Sequence, residues 1–182
     1  MATVTADHNS LHQTANAVDF GALARLGLAA VLPLAAFGGV NVLGEAMGMQ
    51  PYFFSPAGLS GWAGAAIHLA LLFFVGLAVG LAAESNRSVL PWGVALVAAM
   101  IAFPFPAAAL DSLALALVMT SVMLIALATS LRIAQSSSLG GWLMVPVLIW
   151  IGFGAALGLA IAAAWSPPFA LITTQNPAPP AP

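Results

Sequence analysis

The sequence predicts an all-α membrane protein in which five transmembrane helices form a compact bundle, and three observations carry that expectation. Hydrophobic residues make up 62% of 182 positions and charged residues only 4%, with a mean hydropathy of +1.07, which lies outside the range of a soluble domain. Long apolar runs alternate with short polar or Pro- and Gly-containing stretches. The last run, Gly141 to Trp165, carries no charge at all. About 20 apolar residues at 1.5 Å rise cross a hydrocarbon core of about 30 Å, and in lipid a helix satisfies every backbone N–H and C=O within its own segment.

Taken in order, residues 1–20 form a polar tail without Lys or Arg, so it lacks the basic region that opens a cleavable signal peptide, and the first helix is expected to act as its own insertion signal. The transmembrane domain covers about 21–166, with its first span at about 21–47. A connection rich in Pro, Gly and aromatics follows, in which Tyr52, Phe53 and Phe54 suit a membrane–water interface. The second span covers about 62–83 and holds His68, and ESNRS then reverses the chain. The third covers about 89–108, ended or kinked by Pro104 and Pro106, which have no N–H to donate. The fourth covers about 110–131, with Asp111 or Ser112 as its cap, and RIAQSSSLG is read as a polar turn before the fifth at about 141–165. Residues 167–182 are a Pro-rich tail with no expected fold.

Five spans place Arg25, Arg87 and Arg132 on one side of the membrane, with Glu45 and Asp111 beside the opposite loops. Cytoplasmic loops favour Lys and Arg, so the N-terminus is expected in the cytoplasm, with a bacterial inner membrane as the expected location. The three basic residues against five acidic ones give a formal charge of −2, which offers no surface for nucleic acid. No cysteine is present, which excludes disulfides, thiol catalysis and Cys-held metals. Gly76 with Gly80 and Gly154 with Gly158 have the one-turn spacing at which helices approach closely, and either pair is a candidate homodimer face.

No spacing announces catalysis: there is no paired-carboxylate motif, Ser/His/Asp set or Gly-rich phosphate loop. His68 is the only histidine inside a span; His8 and His12 sit in the tail. His68 is either a structural group bonded to a neighbouring helix or a ligand or proton-transfer residue. Asn41 and Glu45 share one helical face, where Asn41 either bonds across helices or contacts a substrate. Trp62, Trp92, Trp142 and Trp165 fall at span ends, where indole favours the interface, whereas Trp150 lies inside the fifth span and either packs a helix interface or lines a cavity. Met100, Met119 and Met123 read as gap-fillers.

The segment Leu143 to Leu157, LMVPVLIWIGFGAAL, resembles the last helix of the tryptophan-rich sensory protein or translocator protein (TspO) family, whose members carry Pro-Tyr-Leu-x-Trp, then Phe-Ala, then Leu-Asn there. Pro146, Leu148, Trp150, Phe153 and Leu157 fall in matching places, while Val147 and Gly158 stand where the family has Tyr and Asn. The Asn and Trp of the family's third helix and the Pro-x-Trp-Thr opening of its second have no counterpart, so the likeness covers one helix in residues and the chain in layout. The resemblance implies a bundle that binds a porphyrin-type or sterol-like molecule between helices under the first loop, often as a dimer. Trp150 and Pro146 would line that pocket, Phe153 and Leu157 would support it, and His68 and Asn41 are the polar candidates beside them. The function so implied is a sensor or carrier of an apolar small molecule. An accessory subunit or assembly factor of a larger membrane complex is the alternative, and a transporter with Asn41, Glu45 and His68 as its polar equipment is a third reading.

Overall fold

The computed structural model describes residues 19–56 and 58–165. The chain forms α1 (Phe20–Ala46), α2 (Gly61–Ala83), a 3-10 turn at Arg87–Val89 that leads into α3 (Leu90–Ala102), α4 (Ser112–Ser136) and α5 (Ser138–Trp165). The tails at 1–18 and 166–182, with His8 and His12, lie outside the described residues, as does the side chain of Trp165.

Among the described residues four helices are long and apolar enough to cross a membrane, α1, α2, α4 and α5, and the segment Arg87–Ala102 is a shorter apolar helix. The protein is therefore an all-helical integral membrane protein. The third element differs from the expected span over 89–108. At 13 residues, α3 rises about 20 Å, short of the roughly 30 Å hydrocarbon core. Phe103 N–H still donates to Ala99 C=O at 3.0 Å, but Pro104 has no N–H to continue the ladder, and 103–109 run in turns. The expected turn after Leu131 is also corrected. Ile133, fully buried in the core, keeps the chain helical to Ser136, and Ser137 alone breaks it, with extended backbone and a hydroxyl that accepts from Gly140 N–H at 3.1 Å.

Helix starts follow side-chain chemistry. The Asp19 carboxylate accepts from the N–H groups of Gly21 and Ala22 at 2.9 and 3.1 Å, and the Asp111 carboxylate accepts from Ala114 N–H at 2.7 Å, each satisfying donors that the first turn leaves open. At the end of α1, Gly48 N–H donates to Glu45 C=O and Met49 N–H to Gly44 C=O, the paired bonds that close a helix and turn the chain sharply.

α2 is the axis of the bundle, touching all four other helices, while α4 and α5 make the most extensive pair and α1 lies outside against α2 and, lightly, α3. The core gathers Leu72, Val75, Leu96, Ile133, Met144 and Val147, all fully enclosed. The glycine faces are consumed inside the chain. Gly76 lies against the Ala29 carbonyl and the Pro33 ring of α1, Gly80 against Ala29, Gly154 against Met119 and Gly158 against Ala116 of α4. Both glycine pairs are packed by helices of the same chain, and Gly80 also faces an open groove.

Thr129 is fully buried, and its hydroxyl lies 2.7 Å from Ile125 C=O in its own helix and 3.2 Å from Trp92 C=O in α3. Interhelical hydrogen bonds in membranes average about 0.6 kcal/mol. Thr129→Val, which keeps the shape, is expected to lower unfolding stability in detergent by about that amount and to leave the far-UV circular dichroism unchanged. A loss several times larger would mean that the α3–α4 contact depends on this hydroxyl.

The basic residues gather at one end of the bundle, together with Asp19 and Glu84. Arg25 begins α1, Arg87 follows α2, and the Arg132 guanidinium sits 4.4 Å from the centre of the Trp92 ring at the start of α3, a cation–π contact. Ser85 Oγ, in the same turn as Arg87, lies 3.5 Å from Ser136 C=O at the end of α4. Glu45 and Asp111 stand at the other end.

Candidate functional site: a roofed aromatic cavity

The segment between α1 and α2 does not extend into solvent. Tyr52 N–H donates to Pro104 C=O at 2.7 Å, which ties this segment to the turn after α3. Phe53 and Phe54 then point inward. The Phe53 ring lies 5.5 Å from His68 and 6.0 Å from Phe37, and Phe54 meets Trp150 edge-on at 5.6 Å. Such spacings are those of favourable ring pairs. Gly64 permits the roof to lie directly on α2, since a Cβ there would come within 2.7 Å of the Phe54 carbonyl oxygen and against Ser55 Oγ.

Beneath this roof is a cavity of about 40 Å³. Its walls come from His68 and Leu71 of α2, Met100 of α3, Met119 and Val122 of α4, and Trp150 and Ile151 of α5, with Phe103 and Pro104 closing the end. At roughly 10–15 Å³ for each water-sized occupant it holds about three, far below the 300–1,000 Å³ of a typical small-molecule site. His68 is its polar feature. The imidazole is wedged between Phe37 and Phe53, 5.6 and 5.5 Å away, and the buried Nε2 has no hydrogen-bond partner among the described residues. A buried nitrogen left bare costs about 1–3 kcal/mol, so this atom is poised to accept from or donate to whatever enters. Its other titratable wall residue is Tyr52, and no carboxylate reaches the cavity. The arrangement is equipped to bind and orient, with stacking surfaces and one polar contact. Among the described residues no three His, Asp or Glu side chains gather in a way that could hold a metal.

Of the residues singled out from the sequence, the structure brings Trp150 and His68 together in this cavity. Phe153 stands at its margin, half exposed, with its ring 6.0 Å from Phe54. Pro146 and Leu157 lie outside the cavity lining, both exposed on α5, and Asn41 is partly buried on α1, away from the cavity and without a side-chain hydrogen bond among the described residues. The reason is helical phase. Pro146, Trp150, Phe153 and Leu157 recur on one face of α5, whereas Met144, Val147, Ile151 and Ala155 form the face turned to the core. Trp150 reaches the cavity because it flanks Ile151. The resemblance implied a pocket under the first loop, but the sequence read Phe53 and Phe54 as interfacial rings and did not foresee their inward contacts with His68 and Trp150.

Fold and site together define the class, an integral membrane protein of helices with an aromatic, histidine-bearing cavity under an interhelical roof. No family model matches the sequence, and no curated protein and no solved structure matches it either.

Proposed function

We propose that the protein binds an apolar small molecule between its helices, as a sensor or carrier in a bacterial inner membrane with its N-terminus in the cytoplasm, and that the cavity at Trp150 and His68 is where the molecule enters. The guest is largely apolar with a polar group that His68 can meet, a tetrapyrrole- or sterol-like compound. The observation that carries this reading is the bare Nε2 of His68 on the wall of an otherwise apolar, ring-lined space. A polar atom kept unpaired in a core is a cost that a binding partner removes. The resemblance of Leu143 to Leu157 to the TspO family's last helix supports the same class of guest. Such a molecule is larger than the closed cavity, so binding requires Phe53 and Phe54 to swing outward while the Tyr52–Pro104 bond holds the base of the roof.

The test is Trp fluorescence of the detergent-purified protein titrated with protoporphyrin and a panel of apolar ligands, for wild type, Trp150→Phe and Phe54→Ala. Saturable quenching that Trp150→Phe largely abolishes, with tighter or faster binding in Phe54→Ala, is expected. Quenching that is linear in ligand, or equal in all three proteins, would assign it to nonspecific partition into the micelle and end this reading.

A further inference from the structure

A second opening lies on the other side of α2, and it is of a different kind. α1, α2 and α3 enclose a groove of about 900 Å³ that is open to the bilayer, because α1 packs on α2 and only lightly touches α3. Its apolar walls include Ala29 and Pro33 of α1, Gly80 of α2, and Val94 and Val97 of α3. Its volume is within the range of small-molecule sites.

The groove has one charged end and one apolar end. Asp19, Arg25, Glu84 and Arg87 all line it, which places two of the chain's three basic residues at a single mouth, together with two acids. Arg25 reaches Asp19 at 3.9 Å with both side chains about 70% exposed, a weak surface pair. Glu84 and Arg87 make no ion pair among the described residues. The groove follows α1 from Asp19 to Ala36 and the third element from Arg87 to Ile101, next to the last residue of α3. Seventeen residues of α1 at 1.5 Å rise is about 25 Å, most of a hydrocarbon core of roughly 30 Å. The groove therefore runs from the charged end along nearly the whole of α3.

We propose that this groove binds one zwitterionic phospholipid of the phosphatidylethanolamine kind, drawn from the leaflet on the arginine side. The acyl chains lie along α1 and α3. The phosphate is held by Arg87 and Arg25, and the ammonium by Glu84 and Asp19. The balance of two cations and two carboxylates favours a zwitterion over an anionic lipid, and an ammonium with N–H donors over a trimethylated one. This site uses none of the residues that line the aromatic cavity, so it stands or falls independently of the small-molecule reading.

Native mass spectrometry of the full chain, delipidated and then supplied with phosphatidylethanolamine, phosphatidylcholine or phosphatidylglycerol, tests it. One ethanolamine lipid per chain is expected to survive activation that strips the other two. The variant Glu84→Gln is expected to weaken that lipid about tenfold, the loss of one charge-assisted hydrogen bond to the ammonium, while leaving phosphatidylcholine binding as it was. Val94→Trp, at a position 65% exposed on the groove wall, is expected to remove the bound lipid with the helical circular dichroism intact. Equal retention of the three lipids overturns the proposal, as does a preference for phosphatidylglycerol, or retention that neither variant changes. A lipid-free dimer that Val94→Trp dissociates would assign the groove to a second copy instead.

Discussion

Gly76→Leu is expected to lower the unfolding free energy in detergent by on the order of 3 kcal/mol, the upper part of the range for overpacking a close interface. The reason lies in α1. Pro33 has no N–H to offer the carbonyl four residues earlier, so the Ala29 carbonyl lacks its helical donor, and that carbonyl is the atom against which Gly76 packs. A Cβ at 76 would collide with this oxygen, come within 2.9 Å of the Pro33 ring and meet the Ala30 Cα at 3.1 Å. Two of these three contacts are backbone, which cannot step aside as a flexible side chain does. α1 would have to leave α2, and α2 is its main attachment to the bundle. Reversible unfolding in mixed micelles followed by circular dichroism, together with limited proteolysis near α1, reads the effect. A variant as stable as wild type would mean that the two helices are not in contact at Gly76. Val94→Leu, at an exposed site on α3, is the control for added bulk alone.

His68→Leu is expected to act in opposite directions on stability and on binding. Leucine has no atom that requires a partner, and it fills the space between Phe37 and Phe53, so the variant should gain about 1 kcal/mol, the lower part of the cost of an unpaired buried group. The same change removes the one polar contact that the cavity offers near Trp150, and ligand-induced quenching should weaken about tenfold. Such opposition is the behaviour of a site maintained against stability. A loss of stability instead would show that the imidazole is satisfied in place, Nε2 by a water inside the cavity or the ring by the Met100 backbone.

The long helices were legible because span length is set by the bilayer, and a run such as Gly141 to Trp165 admits no other structure in lipid. The charge pattern was legible for the same reason: only an odd number of reversals among Arg25, Arg87 and Arg132 groups them at one end, where Arg132 now rests on Trp92. What escaped was decided by neighbours rather than by local pattern. The small-residue spacing at Gly76 and Gly154 announces a close helix, but it does not say whether that helix belongs to the same chain; here α1 and α4 supply it. Pro104 was legible as an end or kink of the third span, but hydropathy ran that span on to 108 because Phe103, Phe105 and Ala107 are as apolar as the helix, which ends at Ala102. The roles of Phe53 and Phe54 depend on a ring-to-ring fit with His68 and Trp150, residues distant in sequence, so no local reading separates them from rings that rest on headgroups.

The shortness of α3 gives the protein unequal heights. α3 is about 10 Å shorter than a hydrocarbon core of roughly 30 Å, and its continuation over 103–109 runs in turns tied to the segment after α1 by the Tyr52–Pro104 bond. Irregular backbone at membrane depth persists only where protein shields it or water reaches it. The irregular backbone that roofs the aromatic cavity therefore lies at the end of the bundle away from the arginines, and this gives the molecule a front and a back.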